Sequence, residues 1–253
     1  MSDPSTTEHA DGRRAWYVVG VLLLVYMVHH LDRMIVTLLL EPIGREFALT
    51  DSQLGLLAGL AYAIPFALAG IPLGMLVDRV NRVRLVTVLL TVWSGLTALS
   101  ALATGFWTLL LARVGVAAAE SGGTPANVSI ISDRMPPERR ATALGVYYMG
   151  SGLGTIIGFS AAGAVASQYG WRAAFLVVGV PGLLLALLLW RTVREPPRRA
   201  AAATPAATPP PLREALRIIA ANRAALHVIA GSTIAGMVAI GLTTWLPALL
   251  VRN

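Results

Sequence analysis

The chain has no cysteine, no lysine and few charged residues, and each shortage excludes a class of protein. Without cysteine there is neither a disulfide framework nor a thiolate metal site. Without lysine there is no Walker A loop, which needs a lysine on the phosphates, so we expect no ATP hydrolysis. Charged residues make up 13% of the chain, against about 25% in soluble domains. With 56% hydrophobic residues and a mean hydropathy of +0.68, this composition predicts an integral membrane protein.

Seven apolar runs are long enough to cross a bilayer, which takes about 20 mostly apolar residues. These predicted spans are residues 16–40, 53–77, 85–104, 107–131, 141–166, 173–190 and 224–250. The polar residues before the first run lack a signal-peptide cleavage pattern, so we expect the first span to be retained.

The arginines indicate membrane topology. All 20 basic residues are arginines, and they lie between apolar runs instead of forming one basic face, so the net charge of +7 does not predict a nucleic-acid partner. Fifteen of them fall on one side of the predicted spans and three on the other. Because short cytoplasmic loops collect basic residues, we expect a cytoplasmic N-terminus in a multi-pass protein of the bacterial inner (plasma) membrane.

The predicted fold is an all-α membrane protein with four regions. They are a cytoplasmic N-terminal tail (1–15), a six-helix transmembrane bundle (16–192), a cytoplasmic linker (193–223) and a seventh transmembrane helix of an incomplete second bundle (224–253). The stretch 194–211 is rich in proline, alanine and arginine, so we expect it to be flexible and to bury nothing. Apolar spacing over 212–220 predicts a short amphipathic helix at the membrane surface. A lone seventh span suggests that a second half is missing.

Four charged residues interrupt predicted spans at membrane depth, where each costs at least about 2.5–3.5 kcal/mol. Asp32 and Arg33 are in the first span, and Arg113 and Glu120 are in the fourth. At 1.5 Å per residue, Asp32 and Arg113 lie about 12 and 9 Å from the outer ends of their helices, so we expect them to pair. Arg113 and Glu120 are two turns apart on one face, which leaves Glu120 for Arg33 or for a proton.

These charges allow two interpretations. They are either static ion pairs that hold helices together or carboxylates that exchange a proton for an arginine during transport, since burial disfavours an ionised carboxylate and a nearby guanidinium favours it. His29 is either hydrogen-bonded filler or a proton relay. The other candidate cavity residues, which are otherwise ordinary packing groups, are Tyr62, Asn127, Tyr147 and Tyr148.

Three motifs point to one family. The second span is followed by a glycine, three residues, an aspartate and a run of basic residues, carried by Gly74, Asp78, Arg79, Arg82 and Arg84. The fourth span holds Arg113 in Leu-Ala-Arg-Val-Gly, and the fifth has glycines at 150, 154 and 158. This pattern resembles the major facilitator superfamily, although Asn81 stands where that family usually has glycine and Thr155 where its antiporters often have proline. The resemblance implies that Gly74, Asp78, Arg79 and Arg82 form a conformational gate.

Within that superfamily, Leu31-Asp32-Arg33 together with Arg113 and Glu120 is similar to the Spinster branch, as is Gly-Trp-Arg-Ala-Ala-Phe at 170–175. The resemblance implies alternating access, with the first, second, fourth and fifth helices lining the cavity. It also implies that Asp32, Arg33, Arg113 and Glu120 couple protons to a lysophospholipid-like or sphingolipid-like substrate. We expect a proton-coupled transporter of an amphipathic or anionic organic solute, in partnership with a second six-helix half, and not an enzyme. We expect no cofactor or metal. The alternatives are a drug-efflux or organic-anion symporter of the same superfamily and a truncated, non-transporting membrane module.

Overall fold

A computed structural model describes residues 4–198 and 212–252, with side chains given for 12–198 and, apart from 215 and 216, for 212–238. The described residues contain α-helices and two π-helical turns but no strand. The α-helices are α1 (Pro4–Phe47), α2 (Asp51–Gly55), α3 (Ala61–Val77), α4 (Arg82–Ser100), α5 (Phe106–Glu120), α6 (Gly123–Arg134), α7 (Pro137–Ile157), α8 (Gly163–Thr192), α9 (Leu212–Ala221) and α10 (Arg223–Arg252). The π-helical turns are Leu56–Leu60 and Gly158–Ala162.

The helices follow the predicted spans, except for one break inside the predicted fourth span. By length and apolar composition, four stretches in the described part of the chain qualify as membrane spans: Gly12–Phe47, Asp51–Val77, Arg82–Ser100 and Pro137–Thr192. Counting the bent pair of α9 and α10 as one span makes five. The 56-residue stretch Pro137–Thr192 is longer than one span and contains the predicted fifth and sixth spans. The chain bends between them at Gly170, whose backbone leaves the helical conformation at φ 83 and ψ 166.

The predicted fourth span is two helices. α5 ends at Glu120 and α6 begins at Gly123, so neither piece alone has the length of a span. The sequence around the break, Ser-Gly-Gly-Thr-Pro, explains it: glycine weakens a helix, and Pro125 has no N–H to donate. The break places Glu120 at a helix end.

The six predicted spans form one compact unit, and α9 and α10 form a second. In the first unit, α1 packs on α7 and α4 packs on α8, while α5 lies against both α3 and α4. Glycines set the α1–α7 contact: a Cβ added at Gly150 would lie 2.7 Å from the backbone oxygen of Leu23, and one added at Gly154 would overlap that of Met27. This seam therefore brings two backbones into direct contact, as small residues allow in membrane helices.

The first residues of the predicted linker lie against the bundle. Residues 193–198 follow α8 without helical structure and fold back on the bundle, where Val193 and Pro196 are buried. The expectation that this proline-rich stretch buries nothing is wrong for these residues, because the charged side chains of Glu195 and Arg198 bind the neighbouring helix ends. The rest of the predicted linker up to residue 211 lies outside the described residues.

Candidate functional site

Tyr62, on α3, joins three of the four charged residues predicted for the site. Its hydroxyl donates a hydrogen bond to Glu120 Oε2 at 2.5 Å. The guanidinium carbons of Arg33 and Arg113 lie 5.1 and 5.2 Å from the centroid of its ring, within the range of a cation–π interaction. We call Arg33, Tyr62, Arg113 and Glu120 the Tyr62 cluster. It draws on α1, α3 and α5, which are the predicted first, second and fourth spans.

Glu120 is the buried carboxylate of this cluster. It is fully shielded from solvent, and its Oε1 has no hydrogen-bond partner among the described residues. His29 Nδ1 lies 4.0 Å from Oε2. Arg113 and Arg33 interact with Glu120 electrostatically, but neither comes within ion-pair distance in the described part of the bundle. One oxygen of Glu120 is therefore free to carry a proton or to accept a hydrogen bond.

Asp32 hydrogen-bonds to a residue of α4 and not to the Tyr62 cluster. It is 1% exposed, and the Thr97 hydroxyl lies 2.7 and 2.6 Å from its two oxygens, close enough to donate to either. The expected Asp32–Arg113 ion pair is not found within 4.0 Å in the described bundle, although Asp32 still interacts electrostatically with Arg113 and Glu120. Helical rise predicts how deep a residue lies in the membrane, but not which way its side chain faces around the helix axis. In the structure, the side chain of Asp32 faces α4. Thr97, which the sequence prediction missed, belongs to a span that was expected to lie outside the cavity.

The two arginines of the cluster differ in exposure. Arg113 is 3% exposed, and its Nε has no hydrogen-bond partner among the described residues. Arg33 is exposed. The two guanidiniums provide two positive groups for an anionic partner. The Arg113 group is buried and has an unused donor, and the Arg33 group is accessible.

A group of aromatic rings lies next to the cluster around Tyr26. The Tyr26 ring centroid is 4.5 Å from those of His30 and Tyr147, 5.5 Å from that of Tyr148 and 5.8 Å from that of His29. Tyr26 and His30 were missed in the sequence. The signal that could have found them is the spacing of Tyr26, three and four residues before the two histidines, which places all three on one helix face.

Asn127 extends this aromatic group onto α6. Its Nδ2 donates to the Tyr147 hydroxyl at 3.4 Å, and both side chains are buried. Asn127 Oδ1 has no partner among the described residues. Tyr148 is 45% exposed, so it gives the group an accessible edge. The predicted cavity residues His29, Asn127, Tyr147 and Tyr148 are thus brought together, and Tyr62 lies in the adjoining cluster.

Arg82 is the buried member of the motif after the second span. It is 1% exposed and donates to Glu195 Oε1 at 2.6 Å, Asp133 Oδ2 at 2.5 Å and Ser129 Oγ at 2.8 Å. It also donates to the Pro196 carbonyl at 3.0 Å. Arg82 thereby ties the start of α4 to α6 and to the segment after α8. Glu195 and Asp133 were missed in the sequence.

The other residues of this motif are not in the network. Asp78 and Arg79 are exposed, and neither side chain makes a hydrogen bond or ion pair within the described ranges. A Cβ added at Gly74 would meet nothing within 4 Å, so no close helix contact requires a glycine there in the described unit. Arg198 binds this turn instead, donating to the carbonyls of Val77, Asp78 and Val80.

Asn81, which departs from the usual glycine of this motif, caps a helix and does not adopt a left-handed backbone. Its side chain accepts from Arg84 N at 2.8 Å and caps α4. Its backbone is extended, with φ −66 and ψ 113, so the turn does not need the left-handed conformation for which a glycine would be favoured.

A second polar network lies at the opposite end of the bundle. Glu46, near the end of α1, accepts from Trp171 Nε1 at 2.6 Å and from Arg172 Nη1 at 2.6 Å. Arg172 also donates to the Ala103 carbonyl at 3.1 Å. These contacts follow the kink at Gly170 and were not predicted.

Three comparisons place the chain among known proteins. A family profile described as Major Facilitator Superfamily matches residues 22–253. A crystal structure of a bacterial homologue of the human lysosomal transporter Spinster, inward-facing and unoccupied, aligns with 100% of this chain and 57% of that one, at 34% identity and a TM-score of 0.75.

Curated relatives include an MFS-type efflux pump of Mycolicibacterium smegmatis, 35% identical over 75% of this chain and 46% of the relative. A probable sugar efflux transporter of Helicobacter pylori is 31% identical over 68% of this chain and 44% of the relative. The chain spans about half the length of these curated relatives.

Proposed function

Because the chain belongs to the Major Facilitator Superfamily, we propose that it supplies one six-helix bundle of a secondary active transporter that works by alternating access. A second six-helix bundle faces it across a central cleft, as the two halves of such transporters do. The chain is oriented with a cytoplasmic N-terminus in the inner membrane of a bacterium, in agreement with its arginine distribution.

We propose that Glu120 is the coupling group, and its unpartnered Oε1 is the observation that carries this proposal. A buried carboxylate is costly unless it is neutralised or paired. Tyr62 already serves Oε2, so a proton can occupy Oε1 without breaking that hydrogen bond. Arg113 and Arg33 stabilise the ionised form from beyond ion-pair distance. A small helix movement that brings a guanidinium closer would then expel the proton.

We propose an amphipathic or anionic organic solute, of the lysophospholipid or sphingolipid type, as the substrate. The exposed guanidinium of Arg33 suits a phosphate or carboxylate group. The rings around Tyr26, with Tyr148 at their accessible edge, offer apolar surface beside it. The resemblance of Leu31-Asp32-Arg33, Arg113 and Glu120 to the Spinster branch implies the same substrate class.

The second candidate is efflux of a drug or sugar, or symport of an organic anion. Its support is the naming of two relatives as an MFS-type efflux pump and a probable sugar efflux transporter. Both candidates use the Tyr62 cluster for proton coupling, so they differ only in the substrate that binds in the cleft.

The test is transport by the full-length protein in proteoliposomes with an imposed pH gradient. A fluorescent lysolipid, a cationic dye and a hexuronate are offered in parallel, and we expect the lysolipid to move fastest. Glu120→Gln should abolish gradient-driven transport while unfolding at the wild-type temperature, because glutamine keeps the hydrogen bond from Tyr62 but cannot bind a proton.

The matched control is Glu41→Gln on α1, whose carboxylate is 72% exposed and should not affect coupling. Gradient-driven transport that is unchanged in Glu120→Gln would remove this residue from the mechanism. Faster movement of the dye or the hexuronate would favour the second candidate.

A further inference from the structure

The second unit contains a right-angled corner. α9 and α10 meet at 90° around Asn222. The Asn222 side chain accepts from Ala225 N at 3.1 Å, and its N–H donates to the Ile219 carbonyl at 3.0 Å. α10 has 30 residues, about 45 Å of helix, which is long enough to cross a bilayer. A helix at right angles to a membrane span lies along the membrane surface, so this geometry places α9 flat on the leaflet.

The faces of α9 suit that position. Leu212 and Ile219 are two turns apart on one face and are 41% and 42% exposed. Arg213 and Arg217 are one turn apart, about 100° and 140° around the helix from Leu212, and both are exposed. Glu214 is the only carboxylate in residues 212–238, and neither arginine forms an ion pair within that segment. Two unpaired guanidiniums therefore sit beside an apolar stripe.

We propose that α9 is a docking site for anionic phospholipid headgroups. Leu212 and Ile219 enter the boundary of the acyl chains, while Arg213 and Arg217 extend sideways to the phosphates. Arginine suits this partner because its planar fork binds phosphate oxygens in pairs. One arginine near an anionic leaflet favours surface binding by a factor of about five, so the two together contribute about 30-fold. This proposal does not depend on the transport function.

The absence of cysteine allows a direct test with a single label. The full chain carrying Ile219→Cys, labelled with the environment-sensitive fluorophore NBD, is reconstituted into nanodiscs. One set contains phosphatidylcholine alone, and the other contains phosphatidylcholine mixed with phosphatidylglycerol. We expect blue-shifted emission in the anionic discs, with a ratio of docked to free helix about 30-fold higher than in neutral discs.

Variants separate the headgroup contact from general charge effects. Arg213→Gln with Arg217→Gln should remove the difference between the two lipid mixtures. Arg45→Gln is the control for loss of an arginine elsewhere, because Arg45 pairs with Glu41 at the end of α1, and it should leave the difference intact. Glu214→Gln should leave it intact or increase it, because it removes the one negative charge of α9.

Three results would overturn the proposal. The first is identical emission in neutral and anionic discs. The second is a double arginine variant that still distinguishes the two mixtures. The third is reversal of the blue shift by dissolved inorganic phosphate at constant ionic strength, which would make the arginines a site for a free anion and not for lipid.

Discussion

Replacing Arg82 by glutamine tests whether the network of Arg82, Glu195 and Asp133 stabilises the bundle. The guanidinium is 1% exposed and serves two carboxylates, Glu195 and Asp133, whose side chains are 22% and 16% exposed. The substitution leaves both acids close together without a cation. Breaking a fully buried ion pair costs about 3–5 kcal/mol, and the partial exposure of these acids lowers the expected loss to about 2–4 kcal/mol.

This loss is measurable as a melting temperature. For a unit of this size, 1 kcal/mol corresponds to about 2–4 °C, so Arg82→Gln should lower Tm by about 5–15 °C. The assay is intrinsic fluorescence of the purified protein in detergent, which the six tryptophans of the chain make sensitive. Arg79→Gln is the matched control from the same motif: Arg79 is exposed, and its change should stay within about 0.5 kcal/mol.

Salt distinguishes a buried network from a surface one. Exposed ion pairs are screened at high ionic strength, whereas a buried arginine keeps its effect. The difference between the two variants should therefore persist in concentrated salt. Equal melting temperatures for Arg82→Gln and Arg79→Gln, or a difference that salt removes, would refute the assignment of Arg82 as the centre of the network.

Two further predictions concern the helix contacts. Gly154→Ala should separate α1 from α7 and reduce expression and Tm, whereas Gly152→Ala on the same helix has open space and should be neutral when both are compared by size-exclusion chromatography and thermal unfolding. Thr97→Val leaves a buried carboxylate without its donor and should cost about 1–3 kcal/mol. That loss should be larger at alkaline than at acid pH, because the donor matters most when Asp32 is ionised. Thr91→Val, whose hydroxyl bonds only its own helix, should show no pH-dependent loss, and equal effects of Thr97→Val at both pH values would contradict the argument.

The span positions could be predicted because a bilayer demands long apolar helices. Helical rise also predicts that the charges of the first and fourth spans lie at similar depth, but the Asp32–Arg113 ion pair inferred from it is not found among the described residues. Arg33, Arg113 and Glu120 all lie against Tyr62, in agreement with the similar depth. The partner of Asp32 could not be predicted, because depth carries no information on rotation about the helix axis and a single threonine gives no periodic signal.

The network around Arg82 could not be predicted for a different reason. Glu195 is 113 residues from Arg82, in a stretch whose composition is typical of a linker. Composition describes what a segment tends to do alone, and it cannot show that one carboxylate will bind a distant buried arginine. The glycines and proline near 121–122 are a sequence signal for the break. The prediction missed it because the flanking residues are apolar enough to be counted as one continuous span.

The anchoring of residues 193–198 has a mechanical consequence. Arg198 donates hydrogen bonds to three carbonyls at the turn between α3 and α4. Glu195 accepts from both the Arg82 side chain and the Val83 N–H. A pulling force on the chain after residue 198 therefore acts first on the turn between α3 and α4, and only then on α8. These contacts protect the sixth span from forces transmitted by the chain that follows it.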